Sequence, residues 1–514
     1  MNASLKFHKR WLHHDKVGIA LGILALAAIR MVGTVRLPIV VDELFSWNLI
    51  QGSFSDIVRN TAKDVHPPLY YILLKLWAEA FGYSIRTLRV LSVILNILTV
   101  LVMLCGVRHL LAKRPKGKSA SIAWSFWVLV LLSNHCLLIV PTIYARMYSL
   151  GAFLSALSAL FFVRIVDQNK PAASNLMGLG CSLGLLMLTH NFGIFTAISE
   201  LVTILIIAYN RSVSKVEFAR IITSLLLPII FIYGWWIPSL LFQTLETTEH
   251  YWIGSLSPDL FFVLAYRFIL GFSPEGISYF SAATLILALA LFSGWSYKEG
   301  GSIVLLWVVA LTPLLLSQIW EFSIGTPILV ERYLCFSVVI LIVLGGYLFS
   351  IDLHSYPRLL LMALISFAMT TDTWSYFTLE WDHDGPGRVI AKEIQDIPSD
   401  KATIVCHLEA NQYLETKYWL SMHSDKFRCL YFYLGTSAAG HQPLFSGFDD
   451  SEMIQKINSA IQNDNEVFLL SSGSPNDALL ESARYFKISE IPFHDLPHFW
   501  FGRIEELAEI PSCQ

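Results

Sequence analysis

Several ionisable side chains stand where packing alone does not account for them. Asp42 and Glu43 follow the first apolar run, and Asp64 and His66 precede a Pro-Pro pair. Arg146 opens one apolar run, His190 closes another, Glu249 and His250 follow a third, and Arg332 with Tyr333 opens a late one. Ionisable groups in or beside lipid are costly and mark function by default. Paired carboxylates supply a general base or hold a metal. Guanidinium groups at membrane level pair bidentately with phosphate. Histidines there act as ligands, phosphate donors or proton carriers. A base and phosphate clamps beside lipid together suit a lipid-phosphate substrate whose tail stays in the bilayer.

The elements that must position these groups are membrane helices. Of 514 residues, 55% are hydrophobic and only 15% charged, against about 25% charged in a soluble domain. The mean hydropathy is +0.56. Helices satisfy their own backbone in lipid, so a bilayer takes up this apolar excess. Lys6, Lys9, Arg10 and Lys16 precede an apolar run from Val17 with no small-residue cleavage site, which reads as an uncleaved first span with its N-terminus inside. Apolar runs recur at 17–35, 84–108, 120–140, 145–164, 173–190, 192–209, 220–242, 277–296, 301–320, 331–350 and 357–372. By the ~20-residue criterion this is about eleven spans.

Loop charge orients them. Basic residues cluster at Arg108–Lys118, at Arg164 with Lys170, and at Arg211, Lys215 and Arg220, as cytoplasmic loops do. Acidic Asp42, Glu43, Asp56, Asp64, Glu246, Glu249, Glu321 and Glu331 then fall outside. The alternation holds if 66–82 lies on the membrane rather than across it. Leu69, Leu73, Trp77 and Phe81 recur every four residues while Lys75 and Glu79 make a polar face, the pattern of an interfacial helix. Residues 37–82 thus form a long outer-face loop, and every flagged group falls at the outer boundary. Residues 1–374 make the membrane domain.

From about residue 375 the chain is polar and mixed. Thr403–Leu408, Leu430–Leu434 and Glu466–Leu470 read as buried strands alternating with helical patterns near 388–397, 409–421, 451–462 and 476–485, a soluble α/β domain over 375–514. With an odd number of spans it lies outside. A Cys406–Cys429 disulfide is open to a tail in that compartment, as is simple burial of both. The sequence has no G-x-G-x-x-G and no P-loop, so neither a nucleotide nor a nucleic-acid partner is expected.

Taken with their neighbours, the flagged residues resemble the GT-C membrane glycosyltransferases of the protein mannosyltransferase and aminoarabinose transferase type. Val41-Asp42-Glu43-Leu44 is similar to the family's first-loop acidic motif. Asp64-Val65-His66-Pro67-Pro68-Leu69-Tyr70-Tyr71, then Phe81-Gly82, Arg86 and Arg89, resembles its juxtamembrane element. Ala145-Arg146-Met147-Tyr148-Ser149-Leu150 opens a span as in many bacterial members, and Thr189-His190-Asn191-Phe192-Gly193 resembles a T-H-Y-F-G pattern with Asn191 as a departure. Glu331-Arg332-Tyr333-Leu334 resembles an R-Y-L start of a late span. The likeness covers residues 1 to about 350.

The resemblance implies an all-α polytopic GT-C-like domain in a bacterial inner membrane. It implies inverting transfer from a polyprenyl-phospho-sugar to an acceptor lipid, glycan or protein. Asp42, with Glu43, would be the base; Arg332, with Arg146, His66 and Tyr333, would hold the donor phosphate. Asp64, His66, His190, Glu249 and His250 remain for substrate or a divalent metal, which some relatives bind near the position of His66; the spacing demonstrates none. Beside this stand plainer readings: Arg30, Arg86 and Arg89 as snorkelling or headgroup anchors, and Trp235, Trp236, Trp252 and Trp320 as an aromatic belt. The alternative function is a transporter or flippase of a lipid-linked substrate, which should show two similar halves with broken spans; no such repeat is visible.

Overall fold

The apolar runs become helices because a helix satisfies its own backbone within one segment in lipid, and serines at several of their starts make the ends sharp. Ser84, Ser121, Ser214 and Ser257 each accept the N–H three residues on, which satisfies an otherwise orphaned donor. A computed structural model describes residues 2–113, 121–168, 170–250, 257–274, 278–351 and 356–378, five strands between 402 and 506, and short pieces around 414–419; side chains of 2–14, 246–250 and the strands are not among those described. The helices are α1 (Asn2–Arg36), α2 (Val41–Leu49), α3 (Phe54–Lys63), α4 (Leu69–Phe81), α5 (Ile85–Leu111), α6 (Ile122–Leu132), α7 (Cys136–Ile139), α8 (Tyr148–Ile165) and α9 (Ala173–Thr189). They continue as α10 (Gly193–Asn210), α11 (Lys215–Tyr233), α12 (Ile237–His250), α13 (Pro258–Leu270), α14 (Tyr279–Glu299), α15 (Gly301–Ile324), α16 (Cys335–Ser350) and α17 (Tyr356–Thr378).

The chain divides into two compact units. One comprises residues 1–37 and 52–379; the other comprises 38–51 and 380–514. The segment bearing Asp42 and Glu43 therefore parts company with the rest of the 37–82 loop and joins the tail's unit.

In the first unit, among the described residues, eight helices are long and apolar enough to cross a membrane, and Ile122–Leu132 and Ala173–Thr189 are shorter apolar helices. This differs from the eleven runs read from the sequence. The run 120–140 is broken after Leu132, where Ser133, Asn134 and His135 turn the chain. The turn is held from inside: Arg30 on α1 donates to the Asn134 side chain at 2.9 Å and the Ser133 carbonyl at 2.6 Å. Non-helical backbone at membrane depth is tolerated where protein supplies its partners. Arg30 is fully buried, so it does not snorkel to headgroups. Nor does Arg89 on α5, which is buried and donates to the carbonyls of Thr34 and Leu37, at 3.0 and 2.9 Å, at the end of α1. Exposed Arg86 is free to serve as the anchor it was read to be.

α16 lies within the most buried of the eight spans and packs on α5, α6, α8 and α15. Small residues let the helices approach. A Cβ on Gly151 of α8 would stand 2.1 Å from the Phe336 ring of α16, and one on Gly180 of α9 would stand 2.4 Å from the Leu225 carbonyl of α11. At one end of the helices Asp167 after α8 takes Lys113 after α5 and Ser302 of α15 as partners. The residues of the candidate site lie at the other end.

α4 is turned differently from the expected amphipathic helix. Tyr70, Tyr71, Leu74, Lys75 and Ala78 are its buried residues, while Leu76 and Phe81 are exposed. Lys75 is thus not on a solvated face. It pairs with Glu79 at 3.1 Å and sits 5.6 Å from the Phe54 ring of α3, and these partners make its burial tolerable.

The second unit contains α2 and a five-stranded sheet, β1 (Ala402–His407), β2 (Arg428–Phe432), β3 (Glu466–Ser472), β4 (Phe486–Ile491) and β5 (Phe499–Glu506), in the order β2-β1-β3-β5-β4. β1 pairs parallel with β2 and β3; β5 runs antiparallel between β3 and β4. Strands β4 and β5 were not anticipated. The helical patterns expected near 388–397, 451–462 and 476–485 lie outside the described residues, as does most of 409–421. Register sets Cys429 opposite Ile404, two residues from Cys406. Strand spacing and rise place that diagonal near ~8 Å, beyond the ~7 Å across which two Cα atoms can be bridged, so this register does not suit a disulfide.

Candidate active site

The site grows from three chain turns and two helix starts in the first unit. α9 ends at His190, whose extended backbone and ring hold the tight turn into α10: the Phe192 N–H donates to His190 Nδ1 at 3.0 Å. His66 lies between α3 and α4, just before Pro67 and Pro68, and its ring is 5.1 Å from that of His190. Tyr333, in a 3-10 turn over Glu331–Leu334 that leads into α16, meets His190 edge-on at 4.5 Å. Tyr148, at the start of α8, stacks near Tyr333 at 6.3 Å and accepts from Arg332 Nε at 2.8 Å. The close passage of Gly151 by Phe336, one turn inward from each, brings these two helix starts together.

Arg146, in the turn before α8, is buried and donates to the Tyr71 hydroxyl of α4 at 3.1 Å. Glu331 is engaged by Arg267 at 2.5 Å, so the acidic neighbour of Arg332 already has a partner. Burial, then the charges of Arg146 and Arg332, push the His190 pKa down to about 3. At neutral pH its ring is uncharged, and its Nε2 is buried with no hydrogen-bond partner among the described residues. Positive charge thus concentrates on the two guanidiniums, an arrangement suited to an anion.

Beside this cluster lies a cavity of about 350 Å³, lined by His66, His190, Tyr333 and Trp320 among mostly apolar neighbours. Among the described residues no carboxylate belongs to its lining. Its floor is fixed by a network that sequence reading missed. Asn191 donates to the Val65 carbonyl and to the Gln243 side chain, each at 3.0 Å, and Gln243 donates to the Thr61 carbonyl at 2.8 Å. The departure at Asn191 therefore ties the strap before His66 to the α9–α10 turn and to α12. Tyr71, Tyr148, Asn191 and Gln243 carried no charge signal to single them out; Tyr71, Tyr148 and Asn191 fell inside quoted motifs without a role.

The structure brings together His66, His190, Tyr333, Arg332 and Arg146. Asp64 is buried two residues before His66. Glu249 and His250 end α12, but their side chains lie outside the described residues. Asp42 and Glu43 sit in the first turn of α2, in the other unit. Glu43 is buried and accepts from the Val40 N–H at 3.4 Å, a first-turn contact, while Asp42 is half-buried. The expected roles of Asp42 and Glu43 thus diverge locally: Glu43 closes its own helix end. Among the described residues no three His, Cys, Asp or Glu side chains are gathered to hold a metal, and the His66 and His190 rings are the pair brought together there.

No family model and no curated protein matches the sequence. Solved structures do match the fold. ArnT from Cupriavidus metallidurans in the apo state aligns with 95% of this chain and 98% of its own, at 13% identity and a TM-score of 0.63. ArnT from the same organism bound to undecaprenyl phosphate aligns with 96% of this chain and 99% of its own, at 12% identity and a TM-score of 0.55. Agreement over so much chain at so low an identity is a likeness of helix arrangement, which many apolar sequences can satisfy.

Proposed function

We propose that this chain, an integral membrane protein with the GT-C fold, transfers a sugar from a polyprenyl-phosphate donor to an acceptor hydroxyl. The observation that carries the reading is the convergence of Arg332 and Arg146 on an uncharged His190 beside an apolar cavity. The cavity suits a prenyl chain and the guanidiniums suit its phosphate. A structural neighbour has been solved with undecaprenyl phosphate bound.

The reaction is one displacement. The acceptor oxygen forms a bond to the anomeric carbon as the bond from that carbon to the phosphate oxygen breaks, and the configuration inverts. Asp42 takes the hydroxyl proton. The phosphodiester of the donor carries one negative charge, and the departing polyprenyl phosphate gains a second. Arg332 and Arg146 therefore bind the transition state more strongly than the donor, which is the condition for lowering the barrier. Tyr148 fixes the orientation of the planar Arg332 fork by accepting from its Nε. The base is assigned to Asp42 on the likeness of Val41-Asp42-Glu43-Leu44 to the first-loop acidic motif.

In this reading the N-terminus is cytoplasmic, about eleven spans cross a bacterial inner membrane, and α4 lies along its outer surface. The tail is an extracytoplasmic α/β domain, and the acceptor is a lipid, a glycan or a protein. The test incubates full-length protein in nanodiscs with a panel of undecaprenyl-phospho-sugars and scores released prenyl phosphate. Asp42→Asn is expected to lower turnover by at least ~100-fold, the usual worth of a general base. Arg332→Lys, which lacks the planar fork, is expected to fall by a similar ~100-fold. Undiminished release by Asp42→Asn would refute the assignment.

A further inference from the structure

α2 has nine residues, too few for a helix to persist on local propensity alone. Something else must hold it, and within its unit two of its side chains are held by the tail. Lys417 Nζ donates to the Asn48 side-chain oxygen at 2.7 Å. Trp47 meets Tyr418 edge-on with ring centroids 5.4 Å apart, and Tyr418 stands edge-on to Trp419 at 5.2 Å. Trp47 and Tyr418 are each 4% exposed. Burial lowers the pKa of Lys417, and holding an ammonium in so desolvated a place is costly unless its polar contacts are made.

Helix geometry places these two contacts around α2. At ~100° per residue, Trp47 and Asn48 project roughly 140° and 240° around the axis from Asp42. The contacts of Trp47 and Asn48 therefore fall on the side of α2 away from Asp42.

We infer that the tail is the mount of the first-loop helix: Lys417 and Tyr418 hold Asn48 and Trp47, and so set where Asp42 stands. Their catalytic consequence rests on the glycosyltransferase reading; the mount itself does not. They are positioning residues, acting through α2, and a displacement of a reacting group by ~1 Å can cost ~100-fold in rate.

The test uses full-length protein in nanodiscs. Amide hydrogen exchange over residues 43–50 is measured beside kcat and KM for a prenyl-phospho-sugar. Lys417→Met combined with Tyr418→Ala is expected to speed exchange in that segment by about tenfold or more. It is also expected to lower kcat by ~10–100-fold while donor KM stays within about twofold. Asn48→Leu, which alters no tail residue, is expected to move the same way, whereas Asn48→Asp keeps an acceptor for Lys417 and is expected to stay near wild type. Exchange in β3 reports whether the tail remains folded. Unchanged exchange over 43–50 in Asn48→Leu and in the double variant overturns the mount. Loosened α2 with undiminished kcat, in a protein that Asp42→Asn inactivates, overturns its catalytic consequence. Full turnover by Asp42→Asn sinks the catalytic reading instead, and exchange over 43–50 then still decides the mount.

Discussion

His190 shows how much a single side chain is asked to do. Its Nδ1 closes the α9–α10 turn, its ring contacts His66 and Tyr333, and its Nε2 is left over beside the cavity. Burial, and after it two guanidiniums, hold it neutral, at a pKa of about 3 against an ordinary 6.5. Between those values the unfolded chain binds a proton that the folded chain does not. Stability from this group is therefore complete above about pH 6.5 and is lost as pH falls toward 3. Thermal midpoints of the solubilised protein are expected to drop between about pH 6.5 and 4.5, and His190→Asn is expected to flatten that slope. Coincident slopes for the two proteins would show that the ring is not held neutral.

At the scale of elements, the α8–α16 contact does most to assemble the site. Gly151 leaves room for Phe336, and the two helix starts then lie close enough for Arg332 to reach Tyr148. Gly151→Val forces a branched side chain into the Phe336 ring and is expected to cost ~1–3 kcal/mol. It is expected to lower turnover as well, because the helix starts separate. Phe336→Leu in the same protein should recover part of both losses, read as thermal midpoint and prenyl-phosphate release. A Gly151→Val protein with wild-type stability and activity would show that the approach is not tight. α4 carries the complementary lesson. Its four-residue stripe was legible, but which side would be covered depended on Tyr71 meeting Arg146 and on Lys75 meeting Phe54 and Glu79.

For the whole molecule, the distribution of charge carries the orientation. Lys113 and Arg211 lie at the helix end opposite the site, tied into the loop after α8 through Asp167, Gln168 and Val166. Basic loops favour the cytoplasm, and on that ground the proposed topology turns the His190 end outward. Alkaline phosphatase fused after Gln514 is expected to be active in intact bacterial cells, and a fluorescent protein that folds only in the cytoplasm is expected to stay dark there. The reverse pattern would invert the topology and move the proposed reaction to the cytoplasmic face.

Composition and spacing by themselves determined that this is a helical membrane protein, and motif likeness pointed to the GT-C fold. They also pointed to Asp42, Glu43, Asp64, His66, Arg146, His190, Glu249, His250 and Arg332 as one group, because an ionisable residue at the edge of an apolar run is costly enough to stand out in one dimension; which of them meet was not legible there. Tertiary structure alone decided what neutral or well-paired residues do. Arg30 and Arg89 look like headgroup anchors along the chain, yet each turns inward to carbonyls contributed by distant or adjoining segments. Tyr148, Asn191 and Gln243 acquire roles only when separate turns meet. The assignment of residues 38–51 to the tail's unit was equally out of reach, since Asn48 and Lys417 are more than three hundred residues apart in sequence and nothing local to either announces the other. Hydropathy is a property of each segment, whereas partnership between polar groups is a property of the packed chain.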